Sequence, residues 1–159
     1  MTARPIATLA ALSAIALAGC GSSDQSSVPG GADANAARVI KAWADQLRAG
    51  DVQAAADRFE IPAIVQNGTA PLRLTDRPGV VAFNDSLPCG AKLTRAVTSG
   101  KYTIATFELT ERPGRGDCGG GVGETAKTAF VIHDGRIAEW RRVVDLPPAT
   151  EPPTSGPVV

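Results

Sequence analysis

The chain has 159 residues, with 16 basic and 16 acidic side chains and a formal net charge of zero. This length suits one compact domain with additional non-globular ends. A zero net charge argues against a nucleic-acid partner, because neutralising phosphates requires a basic excess or a basic face. Hydrophobic residues make up 43% of the chain, which is sufficient for one ordinary core.

The N-terminus has the composition of an export signal. Arg4 precedes a charge-free apolar stretch from Ile6 to Ala18, which is too short for a membrane-spanning helix of about 20 residues. The sequence Leu17-Ala18-Gly19-Cys20 that follows resembles the lipobox of bacterial lipoproteins. The resemblance implies that residues 1–19 are a signal peptide and that Cys20 becomes a lipidated N-terminus. The alternative is a signal peptide without lipidation.

Two acyl chains are sufficient for stable membrane attachment. We therefore expect a protein anchored by lipid on the extracytoplasmic side of the cell membrane. Residues 20–35 contain the lipidated cysteine and a small, polar segment typical of a flexible tether. Residues 146–159 contain five prolines, which lack the N–H needed in helices and sheets, so this tail is predicted to be disordered. The folded domain is predicted over residues 36–145.

Three helices are predicted in the first half of this domain. They are predicted over residues 36–49, over residues 52–59 and from residue 75 or 76 to residue 86. Asn35 and Asp51 are the predicted N-caps of the first two, and Gly50 ends the first. In the third helix, Pro78 and Gly79 predict a late start.

Four strands are predicted in the second half, where β-branched and aromatic residues alternate with turn residues. They are predicted over residues 91–98, 101–111, 125–133 and 136–144. Ser99-Gly100 and Asp134-Gly135 predict tight hairpins. Helices followed by an antiparallel meander indicate an α+β fold, with N-terminal helices packed on one face of a curved antiparallel sheet.

Two segments resemble the nuclear-transport-factor-2-like superfamily, and within it the SnoaL-like proteins. Residues 43–59 (WADQLRAGDVQAAADRF) resemble the opening helices, and residues 130–140 (FVIHDGRIAEW) resemble the closing hairpin. The resemblance implies a cone-shaped α+β barrel that encloses a pocket. This fold includes isomerases, dehydratases, cyclases and non-catalytic binding modules, so the fold alone does not select a function.

Cys89 and Cys118 form a pair in an exported domain. A disulfide between them would restrict the unfolded chain, and two free thiols are the alternative. No cysteine or histidine partner lies close by, so no metal is expected. The glycine-rich loop 113–123 matches the dinucleotide fingerprint twice, but strand-like sequence follows where a helix N-terminus is required. We therefore predict no cofactor.

Aromatic side chains are the candidates for lining an apolar pocket, and simple core packing is the alternative. The predicted pocket residues are Trp43, Phe59, Phe107, Phe130 and Trp140. His133 is predicted to be an exposed turn residue. The pair Arg141-Arg142 could bind an anion, although ion pairing or solvation is more common for such residues.

Acid/base catalysis is the enzymatic alternative, because a carboxyl group in an apolar pocket has a raised pKa that suits proton transfer. The candidates are Glu60, Glu108 and Glu139, with Tyr102 as a hydrogen-bond donor. No aspartate matches the general base of ketosteroid isomerases. We therefore predict a non-catalytic module that binds a small apolar ligand or another protein. The alternatives are a hydro-lyase, isomerase or cyclase, and a self-associating module that forms a homodimer.

Overall fold

The computed structural model describes residues 30–114 and 116–146. The predicted signal peptide, Cys20 and most of the predicted tether and tail lie outside the described residues. The helices are α1 (Ala34–Arg48), α2 (Val52–Ala56) and α3 (Arg77–Ser86). The strands are β1 (Gly30–Gly31), β2 (Phe59–Gln66), β3 (Leu72–Leu74), β4 (Gly90–Ser99), β5 (Tyr102–Thr110), β6 (Thr125–His133) and β7 (Arg136–Arg142). The predicted α+β class is confirmed.

The strands of the described residues form one sheet with the order β1-β4-β5-β6-β7-β2-β3. Strands β4 to β7 form the predicted antiparallel meander. However, β1 pairs with β4 and β2 pairs with β7 in parallel. The sheet is therefore mixed: the predicted antiparallel meander forms its centre, and the two parallel pairs, which are not predicted from the sequence, extend it on both sides.

The helix predicted over residues 52–59 is too long, because α2 ends at Ala56 and Phe59 begins β2. Ile61, Ile64 and Val65 are β-branched and favour an extended backbone. Their strand also adds backbone hydrogen bonds to β7, which a sequence window cannot show. The helical prediction thus fails where local β propensity and pairing with β7 both favour a strand.

Ordered structure begins before the predicted domain boundary. The two residues of β1 lie against Ala96 and Val97, within the segment predicted to be a flexible tether. The side chain of Asp33 accepts a hydrogen bond from the backbone N–H of Ala36 (2.8 Å), so Asp33 is the N-cap of α1. The prediction of Asn35 for that role is wrong, because the carboxylate two residues earlier already satisfies a free N–H group of the first turn.

Capping also explains the start of α3. Asp76 accepts a hydrogen bond from the N–H of Gly79 (2.8 Å), and the helix starts at Arg77. Pro78 occupies the first turn, where its missing N–H removes no helical hydrogen bond, so the predicted late start is wrong. Asp51 caps α2 as predicted.

Both hairpins of the meander form. Asp134 and Gly135 connect β6 to β7, and both have positive φ angles (47° and 73°). These angles are those of a tight turn that matches the right-handed twist of the strands. At the β4–β5 hairpin, Ser99 pairs with Tyr102, and Gly100 has a φ of 57°.

The core lies between α1 and one face of the sheet, here called the inner face. Cross-strand pairs show which residues share this face: Ala91 with Leu109, Ala105 with Thr128, and Phe130 with Trp140. Trp43 of α1 packs edge-on against three aromatic rings at centroid distances of 5.5–6.3 Å, those of Phe107, Phe130 and Trp140. This aromatic cluster joins α1 to the centre of the sheet.

Candidate ligand-binding site

A cavity of about 670 Å³ lies between α1 and the inner face, at one end of the sheet. At this end, here called the cavity end, β2, β5 and β7 finish while β4 and β6 begin. The volume lies within the range typical of small-molecule sites. Most of the wall is apolar. Its large apolar side chains are those of Trp43, Leu47, Leu87, Phe107, Leu109 and Trp140.

Trp43 is held in the cavity wall by a buried polar contact. Its Nε1 donates a hydrogen bond to Oδ1 of Asn84 (2.8 Å), and Asn84 Nδ2 donates to the carbonyl oxygen of Val80 (2.9 Å). Asn84 is completely buried. Because both polar groups are satisfied, the indole ring has one defined orientation between α1 and α3.

The five predicted pocket residues divide into two groups. Trp43, Phe107 and Trp140 line the cavity. Phe59 and Phe130 do not, because they are buried in the core at 2% and 0% exposure. Phe59 packs against Phe83 at a centroid distance of 6.1 Å, and Phe130 lies behind Trp43. For these two residues, core packing is the correct interpretation.

Cys89 and Cys118 form a disulfide, with an S–S distance of 2.07 Å. Cys89 belongs to the cavity wall, at the connection between α3 and β4. The bond ties this connection to the glycine-rich loop after β5. Gly121 lies close to the bond, and a Cβ atom there would lie 3.2 Å from Sγ of Cys118. The disulfide thus fixes one side of the cavity.

The charged residues at the cavity are all basic. Lys127 and Arg142 belong to its lining, and the lining contains no acidic residue within the described part of the chain. Arg142 pairs with Thr128 across the sheet, so both residues lie on the inner face. Arg141, the other half of the predicted pair, is on the opposite face and donates hydrogen bonds to Glu139 (2.8 Å) and Gln66 (2.7 Å).

The indole N–H of Trp140, a residue of the cavity wall, is a buried polar group without a hydrogen-bond partner in the described chain. The residue is 5% exposed. A buried donor without an acceptor destabilises the fold by about 1–3 kcal/mol. Sequence reasoning placed Trp140 at a pocket but could not identify this free N–H, which depends on tertiary contacts.

Two of the catalytic candidates lie away from the cavity. Oε2 of Glu60 is 2.9 Å from Nδ1 of His133, at the hairpin end of the sheet. This hydrogen bond raises the pKa of His133 above its usual value, and the charges of Asp134 and Glu60 act in the same direction. Glu108 pairs with Lys92 on the outer face, at a distance of 4.0 Å.

Glu139 and Tyr102 also lie on the outer face of the sheet. Glu139 accepts hydrogen bonds from Lys101 (2.9 Å) and Arg141 (2.8 Å). Burial acts to raise the pKa of the Glu139 carboxyl, but these two hydrogen bonds outweigh it and hold that pKa below its usual value. A carboxylate held in its ionised form is a poor proton donor near neutral pH. The ammonium group of Lys101 lies over the Tyr102 ring, 4.9 Å from its centroid.

Comparisons with solved structures identify the architecture. A candidate polyketide cyclase from Sinorhizobium meliloti is 19% identical, with a TM-score of 0.50 over 65% of this chain and 92% of its own. A candidate ketosteroid isomerase from Kribbella flavida is 17% identical, with a TM-score of 0.50 over 75% and 82%. A nuclear-transport-factor-2-like protein of unknown function from Cytophaga hutchinsonii is 9% identical, with a TM-score of 0.50 over 65% and 83%. The domain has the nuclear-transport-factor-2-like fold.

At these identities the likeness concerns the fold alone. No family model and no curated protein sequence matches the chain. In this nuclear-transport-factor-2-like domain the helices cover the inner face, and the cavity opens where they leave it uncovered. Among the described residues, no helix has the length and apolar character needed to cross a membrane.

Proposed function

We propose that this nuclear-transport-factor-2-like domain binds a small apolar molecule in its cavity and catalyses no reaction on it. The observation that carries the proposal is the chemistry of the wall, which is apolar and has no acidic residue in the described part of the chain. Glu60, Glu108, Glu139 and Tyr102 are not part of it. A general acid or base must lie within hydrogen-bond reach of the reacting group, so this arrangement favours binding.

The test uses the chain from residue 21 to residue 159, exported from a bacterial host and studied by native mass spectrometry. We expect a bound mass that is lost on denaturation. We also expect Nile red, a neutral apolar dye, to bind with increased fluorescence. An apo chain that fails to bind the dye would contradict the proposal. An apo dimer that does not bind the dye would instead support self-association.

A matched pair of variants locates the dye. Ala126 lines the cavity, so Ala126→Trp should fill it and abolish Nile red binding. Ala82 is exposed on α3 and is not part of the lining. Ala82→Trp should therefore leave binding unchanged. Equal effects of the two variants would show that the dye binds elsewhere.

The proposed location is the extracytoplasmic face of the cell membrane, with attachment through a lipid on Cys20. The support for this is the lipobox resemblance of Leu17 to Cys20. Growth with an alkyne-tagged palmitate should label the natural chain, and Cys20→Ser should not be labelled. An unlabelled natural chain would favour the alternative of a signal peptide without lipidation.

A further inference from the structure

The cavity combines an apolar wall with a basic rim. Its polar lining residues include Asn67, Thr125 and Thr128, and its charged ones are Lys127 and Arg142. No acidic residue of the described chain lies in the lining, and neither cation forms an ion pair with a described residue. A ligand that is apolar throughout would leave this rim without a partner, whereas an anionic group would complement it.

Arg142 is the cation on the cavity side. Thr128 lines the cavity and pairs with Arg142 across β6 and β7. Lys127 is the neighbour of Thr128 on β6, and because side chains alternate along a strand, it lies on the other face of the sheet. The guanidinium lies against the turn after β2, since a Cβ atom on Gly68 would be 3.3 Å from Nη1 of Arg142. The glycine thus leaves room for the guanidinium beside the cavity residue Asn67.

Arg142 also differs from Arg141 and Arg136, the other two arginines of β7. Arg141 donates to Glu139 and Gln66, and Arg136 donates to backbone carbonyls of Asp57 and Phe59. Among the described residues, the guanidinium of Arg142 makes no ion pair and no hydrogen bond. It is an exposed guanidinium next to an apolar cavity, and its donors are available to a ligand.

The Nε1 of Trp140 is a further polar group near Arg142, but it is buried. It has no hydrogen-bond partner in the described part of the chain, and Trp140 pairs with Phe130 on the same inner face two residues before Arg142. Because the atom is buried, a ligand in the cavity could reach it only if the side chain moved. Arg142 is therefore the polar group on which recognition of the ligand rests.

We infer that the ligand is a small single-chain amphiphile whose anionic group binds at Arg142 while its apolar chain occupies the cavity. This inference rests on the proposed function. It adds a requirement for negative charge, which an apolar cavity alone does not impose.

The test compares three probes with the same ten-carbon chain: decanoate, decan-1-ol and decyltrimethylammonium. Both tryptophans of the chain line the cavity, so intrinsic fluorescence reports directly on its occupancy. The titrations use residues 21–159 at probe concentrations below micelle formation. We expect decanoate to bind about tenfold more tightly than decan-1-ol, the effect of one charge-assisted hydrogen bond. The cationic probe should bind most weakly.

Arg142→Gln should reduce decanoate affinity to about that of decan-1-ol and leave decan-1-ol affinity unchanged. Because Arg142 is exposed and unpaired among the described residues, this variant should fold, which circular dichroism checks. Arg95→Gln is the matched control, since Arg95 is an exposed arginine on the outer face with no hydrogen bond or ion pair in the described chain. It should leave both affinities unchanged.

The outcomes separate the two proposals. Equal affinities for decanoate and decan-1-ol would overturn the anionic requirement and leave the proposed function intact. Decanoate selectivity that survives Arg142→Gln would overturn the assignment to Arg142. If no probe binds and Nile red also fails to bind, the proposed function itself is wrong.

Discussion

At the scale of single residues, Asn84 is the polar group on which the cavity wall depends. It accepts the hydrogen bond of Trp43 and is completely buried. Asn84→Leu would preserve approximate size but leave the indole N–H without an acceptor. We expect the free energy of unfolding to fall by about 1–3 kcal/mol in urea denaturation. Asn35→Leu, at an exposed position of α1, should change it by less than about 0.5 kcal/mol.

His133 is the single histidine of the chain, so its titration can be followed without ambiguity by NMR. We expect a pKa above 6.5, because the hydrogen bond to Glu60 favours the protonated ring. A raised pKa in the folded state stabilises the protein below the unfolded-state pKa, and this contribution disappears as pH rises through the folded-state pKa.

Glu60→Gln tests the cause of this shift. The pKa of His133 should move back toward 6.5 in this variant, although the charge of Asp134 remains. Glu108→Gln removes a carboxylate from the opposite end of the sheet and should leave the pKa of His133 unchanged. An unshifted pKa in the natural chain would contradict the hydrogen bond.

At the scale of elements, the disulfide joins the start of β4 to the loop that follows β5. It closes a sequence separation of 29 residues. Replacing both cysteines by alanine should lower the free energy of unfolding by roughly 3–4 kcal/mol, because the unfolded chain regains loop entropy. Urea denaturation of the double variant measures this change. Reduction of the natural chain with dithiothreitol should reproduce it, and equal stability of oxidised and reduced chains would contradict the prediction.

Elements with a strong local signal are those that the sequence predicts correctly. The apolar spacing of Val39, Ile40, Trp43 and Leu47 identifies α1, and Asp134-Gly135 identifies the last hairpin. Strand β2 is not predicted, because its extended conformation depends on parallel pairing with β7. The paired residues are far apart in sequence: Phe59 lies opposite Ile137, more than 70 residues later. Local sequence reports propensity, but it does not report such pairing.

The same division applies to the candidate site. Trp43, Phe107 and Trp140 are recognisable as large apolar residues on inward-facing positions. Phe59 and Phe130 have the same character, so sequence cannot separate cavity wall from core. The role of Arg142 depends on the β6–β7 register, which places it opposite Thr128 and sends Arg141 to the other face. A shift of the register by one residue would exchange the faces of the two arginines, so that Arg141 would lie at the cavity and Arg142 on the outer face.

At the scale of the whole molecule, the short strand β1 fixes the position of Gly30 against β4. A Cβ atom on Gly30 would lie 1.7 Å from the carbonyl oxygen of Ala96, so only glycine allows this approach. Strand β1 runs parallel to β4, which begins with Gly90 at the cavity end. Cys20 is ten residues earlier, at most about 36 Å away.

Gly90 itself lies about 20 Å from Ala96 along β4. The maximum span of these ten residues therefore exceeds the distance from Ala96 to the cavity end. With Cys20 lipidated as proposed, this span would allow the cavity opening to lie close to the membrane surface, where apolar ligands accumulate.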